Sequence, residues 1–123
     1  MKAKQKQYEK WIFKMFDKYK LILFIEKYHL KTEEIKKEDD YMASEFNYPY
    51  LDITIQWTQK SMKDWVKDKK DAERRLIHEF CHTITDPFYA ITLNWPTKKQ
   101  IESERERLTD HIAQIVNKHF NLF

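Results

Sequence analysis

Glycine is absent from all 123 positions of this chain, and no other feature of the sequence constrains the fold as strongly. Glycine adopts positive φ more easily than any other residue, and two-residue hairpin turns require positive φ. Without it, turns must be formed by residues such as Asp39, Asn47 and Asp86 and by the three prolines. We therefore expect a helix-rich fold with few tight hairpins.

Length and charge balance narrow the class of protein. A chain of 123 residues is large enough for one core and too small for a separate substrate-binding domain, so we expect a single domain spanning residues 1–123. The 23 basic and 20 acidic residues are interspersed, and the net charge is only +3. This pattern does not indicate a nucleic-acid binder. The lysine-rich start at residues 2–6 is expected to be a solvated terminus.

Cysteine usage and hydropathy indicate the compartment. The only cysteine, Cys81, has no partner for an intramolecular disulfide. No N-terminal signal peptide is visible, and the longest apolar run, Leu21 to Ile25, is too short to span a membrane. We therefore expect a cytoplasmic protein with no membrane partner. Cys81 projects about 100 degrees from His82 on a helix, toward the apolar side, so we expect a small buried hydrophobe.

The first half of the chain is predicted to be scaffold. Helical spacing of apolar residues predicts a first helix from about residue 5 to the low twenties. Strand-like segments follow at residues 28–35, 41–46 and 50–57, with a charged turn at Lys36 to Asp40 and with Pro49 between the second and third strands. A short helix is expected at residues 61–67, followed by an exposed link at residues 67–71. The strands are expected to form a small antiparallel sheet.

The sequence His78-Glu79-Phe80-Cys81-His82 is an H-E-x-x-H motif inside a stretch, Asp71 to Thr85, that is predicted to be helical with Asp71 as N-cap. Its apolar residues recur at spacings of three and four: Leu76, Ile77, Phe80, Cys81 and Ile84. His78 and His82 point away from this stripe, so both imidazoles can reach one metal ion. Zn²⁺ with three protein ligands and an open site is the expected ion, and Glu79 is the expected general base.

A second helix is predicted from Thr97, which has capping-box spacing to Gln100, to about His119. Its apolar face is defined by Ile101, Leu108, Ile112, Ile115 and Val116. The acidic residues near its start are candidates for a third metal ligand, and periodicity alone does not choose among them. They are Glu102, Glu104 and Glu106.

The segment Glu106-Arg107-Leu108-Thr109-Asp110 resembles the second motif of the gluzincin metallopeptidases. The resemblance implies that Glu106 is the third zinc ligand, with Glu102 the next candidate, and that Asp110 orients a ligating histidine, His78. In size and order of elements the chain resembles the minimal gluzincins, which phages and mobile elements often carry. This implies an α+β, zincin-like fold with an N-terminal helix, a small antiparallel sheet, an active-site helix and a C-terminal helix.

The resemblance also implies a substrate site. An edge strand within Tyr50 to Trp57 would hold an extended peptide by main-chain hydrogen bonds. No counterpart of the oxyanion-stabilising residue of the larger enzymes is recognisable, and His111 and Tyr89 are candidates by residue type alone. Residues 86–96, which link the two predicted helices, would line a substrate pocket or form a short packed element.

The favoured function is a zinc metallopeptidase that acts on a peptide or protein. The alternative is a non-catalytic, zinc-stabilised regulatory or interaction protein of phage or mobile-element origin. Glu79 argues against the alternative, because a structural site needs ligands and no base. A nucleic-acid-binding or phage-assembly module would need a clustered basic face, which the interspersed charges do not provide.

Overall fold

The computed structural model describes residues 2–36, 42–47, 51–93 and 96–119. Within these ranges the protein is a small α+β fold of four helices and three strands. In chain order they are α1 (Ala3–Tyr19), β1 (His29–Glu34), β2 (Met42–Asn47), β3 (Asp52–Trp57), α2 (Gln59–Lys67), α3 (Lys69–Thr92) and α4 (Lys98–His119). Parts of the sequence-based prediction lie outside the described residues: the charged turn at residues 37–40, Tyr41, Pro49, Tyr50, and positions 94–95 of the link.

The sheet is mixed, so the prediction of an antiparallel sheet is wrong. Its strand order is β1-β3-β2, with β3 parallel to β1 and antiparallel to β2. Because β3 lies between the other two strands, it cannot be the edge strand that holds a substrate, which corrects the expectation for Tyr50 to Trp57. Among the described residues, β1 and β2 are the edges.

The alternation of side chains along β3 explains its central position. Ile53, Ile55 and Trp57 are buried, while the residues between them are half-buried. They join one hydrophobic cluster to which α1, α2 and α3 also contribute, through Tyr8, Ile12, Met15, Phe16, Met62, Trp65, Ala72, Leu76, Phe80 and Ile84. A strand that is covered on one face and paired along both edges is typical of the middle of a sheet. That all 123 residues form a single domain stays a prediction.

The two helices that flank the sheet in sequence confirm the predicted scaffold. α1 covers most of the helix expected from residue 5. α2 begins slightly earlier than expected, because Thr58 caps it: its hydroxyl accepts a hydrogen bond from the Ser61 backbone N–H at 3.2 Å. The link expected at residues 67–71 shrinks to Asp68, whose carboxylate caps α3 at the Asp71 N–H. Asp71 is therefore inside α3 and not its N-cap.

α3 extends well past Thr85, where the sequence predicted its end. It includes Pro87, and residues 86–92 of the predicted link are helical. A proline inside a helix has no N–H to donate to the carbonyl four residues earlier, which for Pro87 is that of Thr83. The Tyr28 hydroxyl donates to this carbonyl at 3.3 Å, and Arg107 donates to the neighbouring Ile84 carbonyl at 2.9 Å.

α4 packs on α3 through a charged contact. Glu104 is buried and binds Arg107, which reaches the Ile84 carbonyl of α3. Leu108 and Ile115 pack against the core, whereas the remaining members of the predicted apolar face, Ile101, Ile112 and Val116, are exposed.

The absence of glycine has a local consequence after α1. Phe24 adopts a φ of 58°, a left-handed conformation that glycine usually takes at the end of a helix. Its ring contacts His111 and the Lys118 ammonium of α4. Phe24 thus adopts a backbone conformation that disfavours a large side chain, and its ring contacts α4. In the ranges described above, no helix combines the length and apolar character of a membrane span.

Candidate metal site

One turn of α3 brings together three side chains that can hold a metal ion. His78, Glu79 and His82 each offer one ligand atom, and these atoms lie within 4.8 Å of one another. The two imidazole centroids are 5.1 Å apart, with an interplanar angle of 84°. The spacing of four residues produces this arrangement, because residues i and i+4 lie on the same helix face. Among the described residues this is the group that meets the geometry of a metal site.

The spacing of the donor atoms fits a small cation after modest side-chain rotation. Two ligands at about 2.1 Å from a tetrahedral Zn²⁺ ion are roughly 3.4 Å apart, so a separation of up to 4.8 Å must close by about an ångström or slightly more. His78 is exposed, which leaves space for that rotation. Two nitrogens and one carboxylate oxygen are donors that zinc accepts, although the same set also suits other divalent transition metals.

Asp86 orients one of the two histidines. His82 Nδ1 and Asp86 Oδ1 are 2.9 Å apart, and each side chain is about one-third exposed. An ionised carboxylate only accepts hydrogen bonds, so Nδ1 carries the proton and donates it to this contact. Nε2 of His82 is then left with its lone pair, which is the form that binds a metal.

The sequence-based reasoning missed this role of Asp86. The sequence predicts a turn at Asp86, because the chain has no glycine and the predicted helix ends at Thr85. The signal was nevertheless present as the spacing of four between His82 and Asp86, which places both residues on one face as soon as the helix continues.

A cleft of about 760 Å³ opens beside the metal-binding group. One side is formed by β2 through Met42, Ala43 and Ser44. The other is formed by α3 through Glu79, His82, Thr85, Asp86, Tyr89, Ala90 and Leu93. The segment after Thr85 therefore does line a pocket, as one of the two sequence-based alternatives held, but as a helix. Glu79 and His82 face a groove that is bounded by an edge strand.

The structure does not bring the predicted third ligand into this group. Glu106 is exposed, with its carboxylate 3.8 Å from the Arg105 guanidinium, and Glu102 is also exposed, 4.0 Å from the Lys98 ammonium. α4 instead turns Glu104 inward, about 200 degrees around the helix from Glu106. Asp110 is exposed as well. That Glu106 is a ligand and Asp110 orients His78 stay predictions.

Three other candidate side chains, Tyr89, His111 and Cys81, lie in different parts of the structure. Tyr89 lines the cleft and is largely exposed, so it remains available to a bound substrate. His111 lies elsewhere: its Nε2 is 2.6 Å from the Leu23 carbonyl, between α1 and α4. Cys81 packs against the core, and burial raises the pKa of its thiol. A protonated, partly buried thiol is a poor nucleophile.

Comparison with known proteins adds no assignment: the chain matches no family model, no curated protein and no solved structure.

Proposed function

We propose that this protein is a zinc-dependent metallopeptidase of the gluzincin type, in which His78 and His82 hold the metal and Glu79 is the general base. The observation that carries the proposal is the grouping of these three side chains on α3, where Glu79 and His82 also line an open cleft. A bound Zn²⁺ ion would polarise the scissile carbonyl and lower the pKa of its water to about 7.

The residues of the chain have separable tasks in this reaction. His82, held by Asp86 through Nδ1, offers Nε2 in a fixed orientation. Glu79 accepts the proton of the attacking water and passes it to the leaving amine, as a general base and then a general acid. Its place in the chain next to His78 keeps its carboxylate within reach of the metal-binding group. Tyr89, which lines the same cleft, is a candidate donor to the developing oxyanion.

The edge strand β2 is suited to hold the substrate. Within the described residues β2 pairs with β3 along one edge only, and its residues Met42 to Ser44 line the cleft. An extended peptide can therefore add to the sheet by main-chain hydrogen bonds and lie across Glu79 and His82. In this proposal β2 binds the extended peptide, a role that the sequence suggested for Tyr50 to Trp57.

The identity of the third protein ligand distinguishes the peptidase from the non-catalytic alternative. The gluzincin resemblance assigns that position to Glu106. Glu79, however, already lies close enough to His78 and His82 to serve as a ligand itself. That observation favours the second candidate, a zinc-stabilised regulatory or interaction protein, because a Glu79 that ligates the metal leaves no base.

The substitution Glu79→Gln tests the two functions directly. It keeps the size of the side chain and removes its basicity. If Glu79 is the base, the variant binds one zinc as tightly as the wild type and hydrolyses peptides about 10² to 10⁴ times more slowly. The assay is zinc content together with cleavage of a peptide library followed by mass spectrometry. Glu26→Gln, at an exposed position between α1 and β1, is the matched control.

Two outcomes contradict the peptidase proposal. If Glu79→Gln loses its zinc, Glu79 is a ligand and the non-catalytic alternative gains support. If the zinc-loaded wild type cleaves the same peptides as the chelator-treated protein, or cleaves none, the proposed activity is wrong.

A further inference from the structure

A second pocket adjoins the metal-binding group at the N-terminal end of the cleft. It has a volume of about 480 Å³ and is lined by Met42, Arg74, Arg75, His78 and Glu79. Arg74 and Arg75 precede His78 by about one helical turn, so they lie beside the metal-binding group along α3. The two pockets share Met42 and Glu79, and the metal-binding group therefore lies between them.

The arginine pair brings two guanidinium groups to this pocket. Both bind the Asp71 carboxylate: Arg74 Nη2 is 2.5 Å from Asp71 Oδ1, and Arg75 Nε is 3.0 Å from Asp71 Oδ2. The hydrogen bond from Arg74, and next that from Arg75, holds the pKa of Asp71 below its usual value, so Asp71 is ionised at neutral pH. The contact restrains where the guanidinium groups lie, and each group has more N–H donors than this contact uses.

The opposite end of the cleft is apolar. Tyr89, Ala90 and Leu93 line it from α3, and Met42 and Ala43 line it from β2. Tyr89 and Leu93 are more than half exposed, at 55% and 65%, so a bound side chain can cover them. The cleft is thus polarised, with a basic end before the metal-binding group and an apolar end after it.

The rise per residue of α3 gives the distances between the metal-binding group and the two ends of the cleft. With a rise of about 1.5 Å per residue, the arginine pair lies roughly 8 Å along α3 from the midpoint of the two histidines, and residue 90 lies about 15 Å from it on the other side. An extended peptide advances about 3.3 Å per residue. The basic end is therefore two or three peptide residues from the metal-binding group.

We propose that the cleft selects an extended peptide that carries a carboxylate two or three residues from the metal-binding group, at Arg74 and Arg75, and an apolar side chain at the opposite end. This specificity rests on the proposed function, because it takes the cleft as the substrate site. The carboxylate belongs either to a glutamate or aspartate side chain or to the C-terminus of the peptide, and both present the same group to a guanidinium.

The test measures binding separately from cleavage. Labelled peptides bind to zinc-loaded Glu79→Gln protein, and their affinity is read by fluorescence anisotropy. The peptides form matched pairs that differ by Glu or Gln at one position, moved along the sequence, and by a free or amidated C-terminus. The peptide with Glu at the selected position is expected to bind about two- to fivefold more tightly than the peptide with Gln, the range for exposed ion pairs, and the difference shrinks at high salt.

Variants identify the residues responsible. Replacing Arg74 and Arg75 together by Gln should abolish the preference for Glu, and Asp71→Asn should increase it, since it removes the competing carboxylate. Arg105→Gln, at an exposed arginine on α4 that also lies beside a carboxylate, should leave the preference unchanged. If amidation of the C-terminus weakens binding and the Glu and Gln peptides bind equally, the carboxylate is that of the peptide terminus.

The outcomes separate this specificity from the catalytic proposal. Equal affinity for every Glu and Gln pair, with free and amidated ends alike, overturns the proposed selectivity even if the wild type cleaves peptides. A preference for Glu that survives the double arginine substitution overturns it as well. Selective binding by a protein that cleaves nothing supports the selectivity and counts against hydrolysis.

Discussion

The contact between Asp86 and His82 makes a quantitative prediction about metal affinity. The carboxylate accepts the Nδ1 proton of His82 at 2.9 Å, which fixes the imidazole tautomer and strengthens Nε2 as a ligand. Removing such a carboxylate typically weakens metal binding by about 10- to 100-fold. Both side chains are about one-third exposed, so water screens the contact and replaces part of it. We therefore expect Asp86→Ala to weaken zinc binding by about tenfold, or roughly 1.4 kcal/mol.

Asp86→Asn should fall between the wild type and Asp86→Ala. An asparagine oxygen still accepts the Nδ1 proton, so the tautomer is retained, while the negative charge that strengthens the imidazole is lost. The assay is competition with a chromogenic chelator of known zinc affinity, at constant pH and ionic strength. Thermal melting of the metal-free proteins controls for a change in folding.

Asp110→Asn supplies the comparison. The gluzincin resemblance assigns the orienting role to Asp110, whereas the structure gives the contact with His82 to Asp86. A wild-type zinc affinity in Asp86→Ala would refute the role derived for Asp86. A loss in Asp110→Asn of similar size would support the role that the resemblance assigns to Asp110.

Further predictions concern the packing of α3 and α4. Glu104→Ala should lower the free energy of unfolding by about 1 to 3 kcal/mol in urea denaturation, because its arginine partner loses a buried acceptor, whereas Glu102→Ala should change it little. Tyr28→Phe should cost about 0.5 to 1.5 kcal/mol in the same assay, because a carbonyl freed by the proline in α3 loses its donor. Tyr19 and then Lys18 hold the pKa of Glu73 below its usual value, so Glu73 stabilises the fold above the unfolded-state pKa and less as pH falls through the folded-state value. The difference in unfolding free energy between wild type and Glu73→Gln should therefore shrink as the pH is lowered from neutral into the acid range. Glu106→Ala should weaken zinc binding strongly in the chelator assay if this residue is the third ligand; an unchanged affinity contradicts that assignment.

The elements that the sequence identified are those with a strong local period. Ile53, Ile55 and Trp57 alternate with polar residues, and this alternation is enough to predict β3 and its buried face. The spacing of His78 and His82 likewise predicts that the two imidazoles share a helix face and could hold one metal ion, because it depends only on helix geometry. Both are properties of a short segment and need no information about distant residues.

The features that the sequence did not reveal depend on partners far along the chain. Strand order is set by how the strands are connected and packed, so local alternation is equally compatible with a meander and with the observed order. A proline such as Pro87 usually marks a helix end. Here Tyr28 supplies a donor from a remote segment to the carbonyl that the proline leaves without one, and the helix continues. Glu104 lies at the edge of the apolar face of α4, three residues after Ile101 and four before Leu108, but its charge alone predicts exposure. Its contact with Arg107, which the sequence does not reveal, accounts for its burial.

The central claim is that His78 and His82 hold a metal while Glu79 stays off it as a base. A crystal structure of the zinc-loaded protein, with an anomalous difference map collected at the zinc edge, tests this claim most directly. We predict one zinc peak bound by nitrogens of His78 and His82, at about 2.0 to 2.1 Å, with an open position toward the cleft and the Glu79 carboxylate beside that position. A peak elsewhere in the molecule, or a Glu79 carboxylate bound directly to the zinc, would contradict the account.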